Sequence, residues 1–350
     1  METAKKSDKP FSFILVCSKE NEVYTYNDEI SAKIDSLGKE MHHYYVTIED
    51  FESDMDKIKD VHIEMVCIYP FHSHYLEPIL LHFKTIKWVH CLHAGVEKLL
   101  KSHELDTNDN IILSNSKGDY YESFGEIGVL AIMYFNYNIS NYIDKMRQKE
   151  FWKCPNNELI NEKLILIIGY GNNGISFARK CKQGFNSRVI GVVRVKKENC
   201  AGKEFTDEII TMDELMDPKR DLSHVDFIFS TLPETKQTMN IYNLDFFKRF
   251  NNNVIFVNIG RGSAVVEDDL CYALENNIIR GALLDVTVHE PLEKDSKLYN
   301  IPTNKLLLTN HSLGLVKNYH EMTIKCLLEN ITSYLDTGKP INVVNKTHQY

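Results

Sequence analysis

The chain has 350 residues, 43% of them hydrophobic and 25% charged, and a formal net charge of -9. This is the range of ordinary soluble globular proteins, long enough for two domains and for a core that needs no disulfide staples. The negative charge and scattered cations argue against a nucleic-acid partner, and the longest apolar run, IGVLAIMYF, is too short to span a membrane.

The N-terminal stretch METAKKSDKP is polar and lacks the apolar core of a signal peptide, so residues 1–10 are expected to form a disordered tail. The eight cysteines, Cys17, Cys67, Cys91, Cys154, Cys181, Cys200, Cys271 and Cys326, are widely spaced with no C-x-x-C pair. That usage points to reduced thiols in a cytoplasmic setting.

Short apolar strands then alternate with helix-length segments. The strands are FSFILVC (11–17), HHYYVTI (42–48), VHIEMVCIY (61–69), IKWVHCL (86–92) and NIILSN (110–115). This alternation predicts βαβ units and a parallel sheet. SFGEIGVLAIMYFNYNISNYIDKM reads as one helix, apolar on most faces and therefore expected to be buried all round, under a second domain or a second subunit. After it the alternation restarts, with strands at RVIGVV, VDFIFSTL, NNVIFVNIG, IRGALLDV and KLLLTNHS. Two doubly wound units in series are expected. A last apolar helix, around Glu321 to Leu335, stops at DTGKP.

Within LILIIGYGNNGISFARKC lies Gly169-x-Gly171-x-x-Gly174, following a predicted strand and opening a predicted helix. In that context the three glycines have separate tasks in binding a dinucleotide. Gly169 permits the turn, Gly171 lets backbone approach a pyrophosphate, and Gly174 lets helix and strand pack. The free N–H groups at the helix start, Asn172 and Asn173 among them, would receive the phosphates.

About 20 residues further on, an NAD site places an acid at the end of the second strand to hold the ribose 2′-hydroxyl. Here the strand ends at Val193, and Arg194, Lys196 and Lys197 follow. A carboxylate would repel a 2′-phosphate, whereas a guanidinium grips it with two hydrogen bonds. Arg194 and Lys196 therefore predict NADP(H) as the preferred cofactor, with NAD(H) as the alternative. The bland reading is a solvated loop of cations.

Arg261, Glu290 and His311 each lie just beyond a predicted strand, in VNIGRGSAVVEDDL, GALLDVTVHEPL and LLLTNHSLG. In open α/β sheets the chemistry sits beyond the carboxyl ends of the strands, so these three can converge. Histidine has the right reference pKa to donate a proton near neutral pH. A carboxylate on its far nitrogen would fix the tautomer, and an arginine fork suits a planar keto carboxylate.

These segments closely resemble the D-isomer-specific 2-hydroxyacid dehydrogenase family, in order and spacing. KWVHCLHAGVEKL is similar to its substrate loop, NSKGDYYESFGEIGVLAIM to its hinge and interface helix, and FSTLPETKQTMNIYN to its nicotinamide-side loop. The resemblance implies an α/β fold of two Rossmann-like domains. A flavodoxin-like substrate domain would span 11–118 and 316–350, and an NAD(P)-binding Rossmann domain 119–315, with the active site in the cleft. It implies that Arg261 holds the substrate, that Glu290 is the catalytic acid beside the proton donor His311, and that Asp285 and the backbone of Ile259 contact the nicotinamide. Leu232 and Pro233 would line its side of the pocket. Backbone amides of His93, Ala94, Gly95 and Val96 would cradle the substrate carboxylate.

Two positions depart from the family pattern. Asn310 stands where proline is usual, which loses loop stiffness but no catalytic group. His93 stands where a small residue is usual, which bears on the substrate and not on the reaction class. The expected activity is reduction of a small 2-keto acid, of the glyoxylate or hydroxypyruvate type, to a D-2-hydroxy acid by a homodimer. A nucleotide-sensing corepressor on the same fold is the rival from another class. NAD-dependent D-lactate or phosphoglycerate dehydrogenases are the rivals within it. The phosphoglycerate reading is disfavoured by the missing acid and by the expectation of no regulatory domain beyond Tyr350. Formate dehydrogenase is disfavoured because it needs no proton donor. The histidine-rich first third, including HSH at 72–74, completes no metal-ligand set, and no metal is expected. The EDD at 267–269 is read as acids complementing a helix dipole.

Overall fold

The computed structural model describes residues 10–20, 27–38, 40–117, 121–150 and 157–347. The tail expected over residues 1–10 lies, except for Pro10, outside the described residues, and so does Cys154. The chain divides into two units, residues 1–119 with 317–350, and residues 120–316.

In the first unit five strands form one parallel sheet: β1 (Phe11–Cys17), β2 (Met41–Thr47), β3 (Met65–Ile68), β4 (Trp88–Cys91) and β5 (Ile112–Asn115). Their order, β2-β1-β3-β4-β5, is that of flavodoxin-like doubly wound sheets. Every residue of β1, β3 and β4 is buried, as continuous apolar runs in a covered parallel sheet require. The strand expected over 61–69 is shorter than its sequence suggested. Val61 donates back to the Ile58 carbonyl, so the turn after the helix Phe51–Ile58 consumes the first residues.

The helix Tyr319–Thr337 belongs to this unit and brings Ile324, Leu327 and Ile331 against Phe11, Phe13 and Trp88. It ends at Gly338, whose φ of 78° is the left-handed conformation that glycine adopts without strain. The chain then runs back beside β5, where the Val344 N–H donates to the Leu113 carbonyl.

The second unit holds a seven-stranded parallel sheet: β6 (Leu164–Ile168), β7 (Arg188–Val193), β8 (Glu208–Thr211), β9 (Phe227–Ser230), β10 (Ile255–Asn258), β11 (Gly281–Leu284) and β12 (Leu306–Leu308). The order is β12-β11-β10-β9-β6-β7-β8. The edge strand β8 was not foreseen. Its EIIT buries only Ile210, so it shows neither a long apolar run nor a clean alternation.

The single long helix read from the sequence is two helices, Tyr121–Asn136 and Ile139–Arg147. Asn138, at φ 48°, breaks it. In the single chain the first is buried along one stripe. Gly125, Ile127, Gly128, Ala131, Ile132 and Phe135 form its buried stripe, while Leu130 is 49% exposed. The stripe crosses the helix Asn172–Phe185 at close range. A Cβ on Gly125 would stand 2.5 Å from the Ser176 hydroxyl, and one on Gly128 would stand 2.4 Å from the Phe177 ring.

Candidate active site

Sheet register lines up the ends of five strands. Ile168, Ser230, Asn258, Leu284 and Leu308 are paired neighbour to neighbour across β6, β9, β10, β11 and β12. The residues after that row are Gly169, then Leu232 and Pro233, then Ile259 and Arg261, then Asp285, then His311. All of these sequence-predicted site residues therefore leave one edge of the sheet, at its carboxyl end. On the other side, Val192 of β7 pairs with Ile168, and Arg194 follows two residues later.

The glycine turn has the form its sequence requires. Gly169 has φ 97°, and a Cβ on Gly174 would come within 2.7 Å of the Gly169 carbonyl oxygen. A Cβ on Gly171 would meet nothing within 4 Å. Space over the helix start is thus open, and the first N–H groups of the helix Asn172–Phe185 have no helical partner. These features fit a dinucleotide pyrophosphate. Thr231 fastens the turn by donating to the Gly169 carbonyl at 2.8 Å.

β7 ends at Val193, with Arg194 exposed just beyond it and no acid at that end. Lys196 is ion-paired with Glu214 at 2.6 Å. Glu214 also receives the Thr211 N–H in a capping box. Lys196 thus sits in an exposed ion pair on β8's side.

The loop bearing Arg261 is clamped from three directions. The fully buried Asn258 donates its carboxamide to the Arg261 carbonyl at 2.9 Å and accepts the Gly260 N–H at 3.1 Å. A Cβ on Gly260 would lie 2.4 Å from the Leu232 carbonyl oxygen, and one on Gly262 would lie 2.0 Å from the Thr287 backbone. Only glycine on both sides lets Arg261 occupy this slot. Ser263 adds a bond to Glu234 at 2.7 Å, tying the Arg261 loop to the LPET loop. Arg261 donates to the Gly260 carbonyl at 2.7 Å.

His311 has φ 54°, held by its N–H to the Asp285 carbonyl at 2.8 Å. Its ring Nδ1 lies 2.8 Å from Glu290 Oε2. The other Glu290 oxygen accepts the Thr287 N–H at 3.2 Å. Partial burial pushes the Glu290 carboxyl up, but His311, the Thr287 N–H and the Arg261 charge outweigh it and hold the group below its usual range. Asp285 is buried and accepts the Thr309 hydroxyl at 2.7 Å. The acids of EDD do more than complement a dipole. Glu267 receives the Val288 N–H, Asp269 the Leu244 N–H, and Asp268 pairs with Lys297.

In the first unit, the loop after β4 carries His93, Ala94, Gly95 and Val96. The His93 carbonyl faces the Ser116 N–H, the Ala94 carbonyl accepts from Asn115, and the Gly95 carbonyl accepts from Cys91. Among the described residues no acceptor meets the N–H groups of Ala94, Gly95 and Val96, whereas the loop's carbonyls at 93–95 are engaged. Beneath the loop is a buried relay. Trp88 donates to the Ser114 hydroxyl, which lies 2.7 Å from His90 Nδ1, and His90 Nε2 lies 3.1 Å from the Ser116 hydroxyl. Burial pushes the His90 pKa down to about 3, so the ring is neutral.

Among the described residues one group could bring three ligand atoms together, Glu77, His103 and Glu104. Its carboxylates are engaged by Ser102, the Glu104 N–H and Lys84. His72, of HSH, is buried and its pKa lowered by burial.

Residues 129–312 match the family model described as D-isomer specific 2-hydroxyacid dehydrogenase, NAD binding domain. The chain belongs to that family. A probable 2-ketogluconate reductase of Dictyostelium discoideum is 32% identical over 214 residues, 58% of this chain and 60% of that protein. A glyoxylate/hydroxypyruvate reductase B of Klebsiella pneumoniae is 30% identical over 186 residues, 53% of this chain and 55% of that protein. The chain thus matches a little over half the length of these relatives. The fold is also that of a family protein from Aeromonas salmonicida, at TM-score 0.76 and 23% identity, covering 97% of this chain and 100% of that one. A Xanthobacter autotrophicus member solved with NADPH matches at TM-score 0.78 and 20% identity, covering 96% and 99%.

The two departures from the family pattern have local consequences. Asn310, in place of proline, accepts the Ser312 hydroxyl at 2.6 Å, a tether across His311 itself. The bulky His93 ring packs 6.1 Å from the Tyr319 ring. Sequence reading missed Asn258, Thr309, Tyr170 and Ser263. The one available signal was a polar residue ending an otherwise apolar strand, as Asn258 does.

Proposed function

We propose that the protein is an NADPH-dependent reductase of small 2-keto acids, of the glyoxylate or hydroxypyruvate type, forming D-2-hydroxy acids. The observation that carries this reading is the His311–Glu290 pair at 2.8 Å, on the same sheet edge as the Arg261 loop and the glycine turn. A bound nicotinamide supplies the hydride. As charge builds on the keto oxygen, His311 delivers the proton from Nε2, the nitrogen turned away from Glu290. Glu290 holds the ring orientation. The Arg261 guanidinium takes the planar keto carboxylate, and the amides of Ala94, Gly95 and Val96 are assigned to the carboxylate as well.

Arg194 is assigned to the 2′-phosphate of the cofactor, because no acid ends β7. A solved relative of the same fold carries NADPH, which supports the assignment. Leu130, Ile139, Tyr142, Ile143 and Met146 are exposed along the two helices that begin the second unit, and this supports a homodimer formed through them. A cytoplasmic setting accords with seven free cysteines among the described residues.

Titrating the protein with NADPH and with NADH tests the cofactor reading. NADPH should bind at least tenfold more tightly, and equal or better binding of NADH overturns the role given to Arg194. Light scattering in solution should return the mass of two chains; a monomer removes the dimer.

A further inference from the structure

Tyr170 stands between the first two fingerprint glycines, a position from which the sequence alone suggests nothing. Its side chain turns inward and is 6% exposed. The ring covers Gly191 in β7, where a Cβ would come within 2.6 Å of it. The hydroxyl passes beyond the strand and donates to the Gly202 carbonyl at 2.8 Å. Gly202 closes the segment that Arg194 opens.

That closure is itself constrained. Gly202 has φ 71°, and a Cβ there would lie 2.7 Å from Ile175 in the first turn of the fingerprint helix. The other end of the segment is fixed by the main chain, since the Gly169 and Tyr170 N–H groups both donate to the Val192 carbonyl, at 3.2 and 2.9 Å. One residue therefore ties both ends of the segment to the glycine turn, by its amide before Arg194 and by its hydroxyl after it. Burial, then Glu204 and Asp207, push the Tyr170 pKa up, so the phenol stays a donor across the working pH range.

We infer that Tyr170 is a positioning residue for cofactor specificity, holding segment 194–202 so that Arg194 is set for a ligand's 2′-phosphate. This rests on the assignment of Arg194 made under the proposed function. A phosphate held by a guanidinium fork demands a fixed geometry from the segment, whereas a ribose bearing only hydroxyls does not. Removing the phenol oxygen would leave the Gly202 carbonyl without its donor and loosen the far end of the segment while the ring still fills its place.

The test is calorimetric binding of 2′,5′-ADP, which carries the phosphate, and of 5′-AMP, which lacks it, to the full chain. Tyr170→Phe should weaken 2′,5′-ADP about three- to tenfold, the worth of one hydrogen bond, and change 5′-AMP less than twofold. In an Arg194→Ala background the same change should add nothing to the loss of 2′,5′-ADP. Equal losses for both ligands, or additive losses in the double variant, overturn the inference while leaving Arg194 its role. If Arg194→Ala leaves the ratio of the two ligands unchanged, the cofactor assignment falls and the inference with it. Hydrogen exchange gives a second readout. Residues 194–202 should exchange faster in Tyr170→Phe with β6 unchanged, and an unchanged segment overturns the inference.

Discussion

His311 and Glu290 meet through one hydrogen bond of 2.8 Å between Nδ1 and Oε2, and the carboxyl's second oxygen is held by the Thr287 N–H. Both side chains remain 40% exposed, so the pair is oriented from within while His311 faces solvent. Such a pair is built to hand over a proton.

His311→Ala should lower kcat by about 10²–10⁴-fold, the usual worth of a positioned general acid. Glu290→Gln keeps the shape but loses the charge, and should cost less than His311→Ala. Steady-state rates with NADPH and a keto acid, with cofactor binding measured separately, check both. Unchanged kcat in His311→Ala removes that residue from the chemistry.

The lowered Glu290 pKa has a consequence for stability. Its carboxylate is favoured in the folded state, so the contribution is fully present above the ordinary glutamate value of about 4.3 and is lost as pH falls through the lower folded value. Melting curves of the protein and of Glu290→Gln should therefore converge as pH drops from 6 towards 3. A gap that widens on acidification contradicts the direction of the shift.

Gly262→Ala would put a methyl group 2.0 Å from the Thr287 backbone, which cannot rotate away. The loops of Arg261 and Glu290 must separate. The expected cost is about 1–3 kcal/mol in unfolding free energy, as for overpacking, with a larger fall in kcat/KM than at a remote overpacked site. Chemical denaturation and kinetics on the same sample measure the two effects.

His90→Leu should destabilise the first unit by about 1–3 kcal/mol, since it leaves the Ser116 hydroxyl without its partner and Ser114 with Trp88 alone beneath the amide loop. It should also raise KM for the keto acid more than it lowers kcat. A change in kcat alone goes against a role for the 93–96 loop in binding.

Much of this was legible in the sequence because apolar runs in covered parallel strands are continuous. FSFILVC and RVIGVV gave β1 and β7 to the residue. The glycine turn was legible because each glycine answers a steric demand of its own. What escaped was set by features that composition and periodicity do not carry. Asn138 breaks a helix whose composition favours continuing. EIIT lacks a pattern because it is an edge. The pair of Lys196 with Glu214, 18 residues on, has no signal in the sequence. Asn258 reads as the end of a strand, and only the returning backbone of Gly260 and Arg261 shows it to be a clamp.

The most direct test of the account is NADPH oxidation followed with glyoxylate, hydroxypyruvate and pyruvate, on the folded protein and on His311→Ala. The account predicts turnover with at least one keto acid, lost in His311→Ala although NADPH still binds. Tight NADPH binding with no turnover on any of them would contradict it and favour a nucleotide-sensing scaffold.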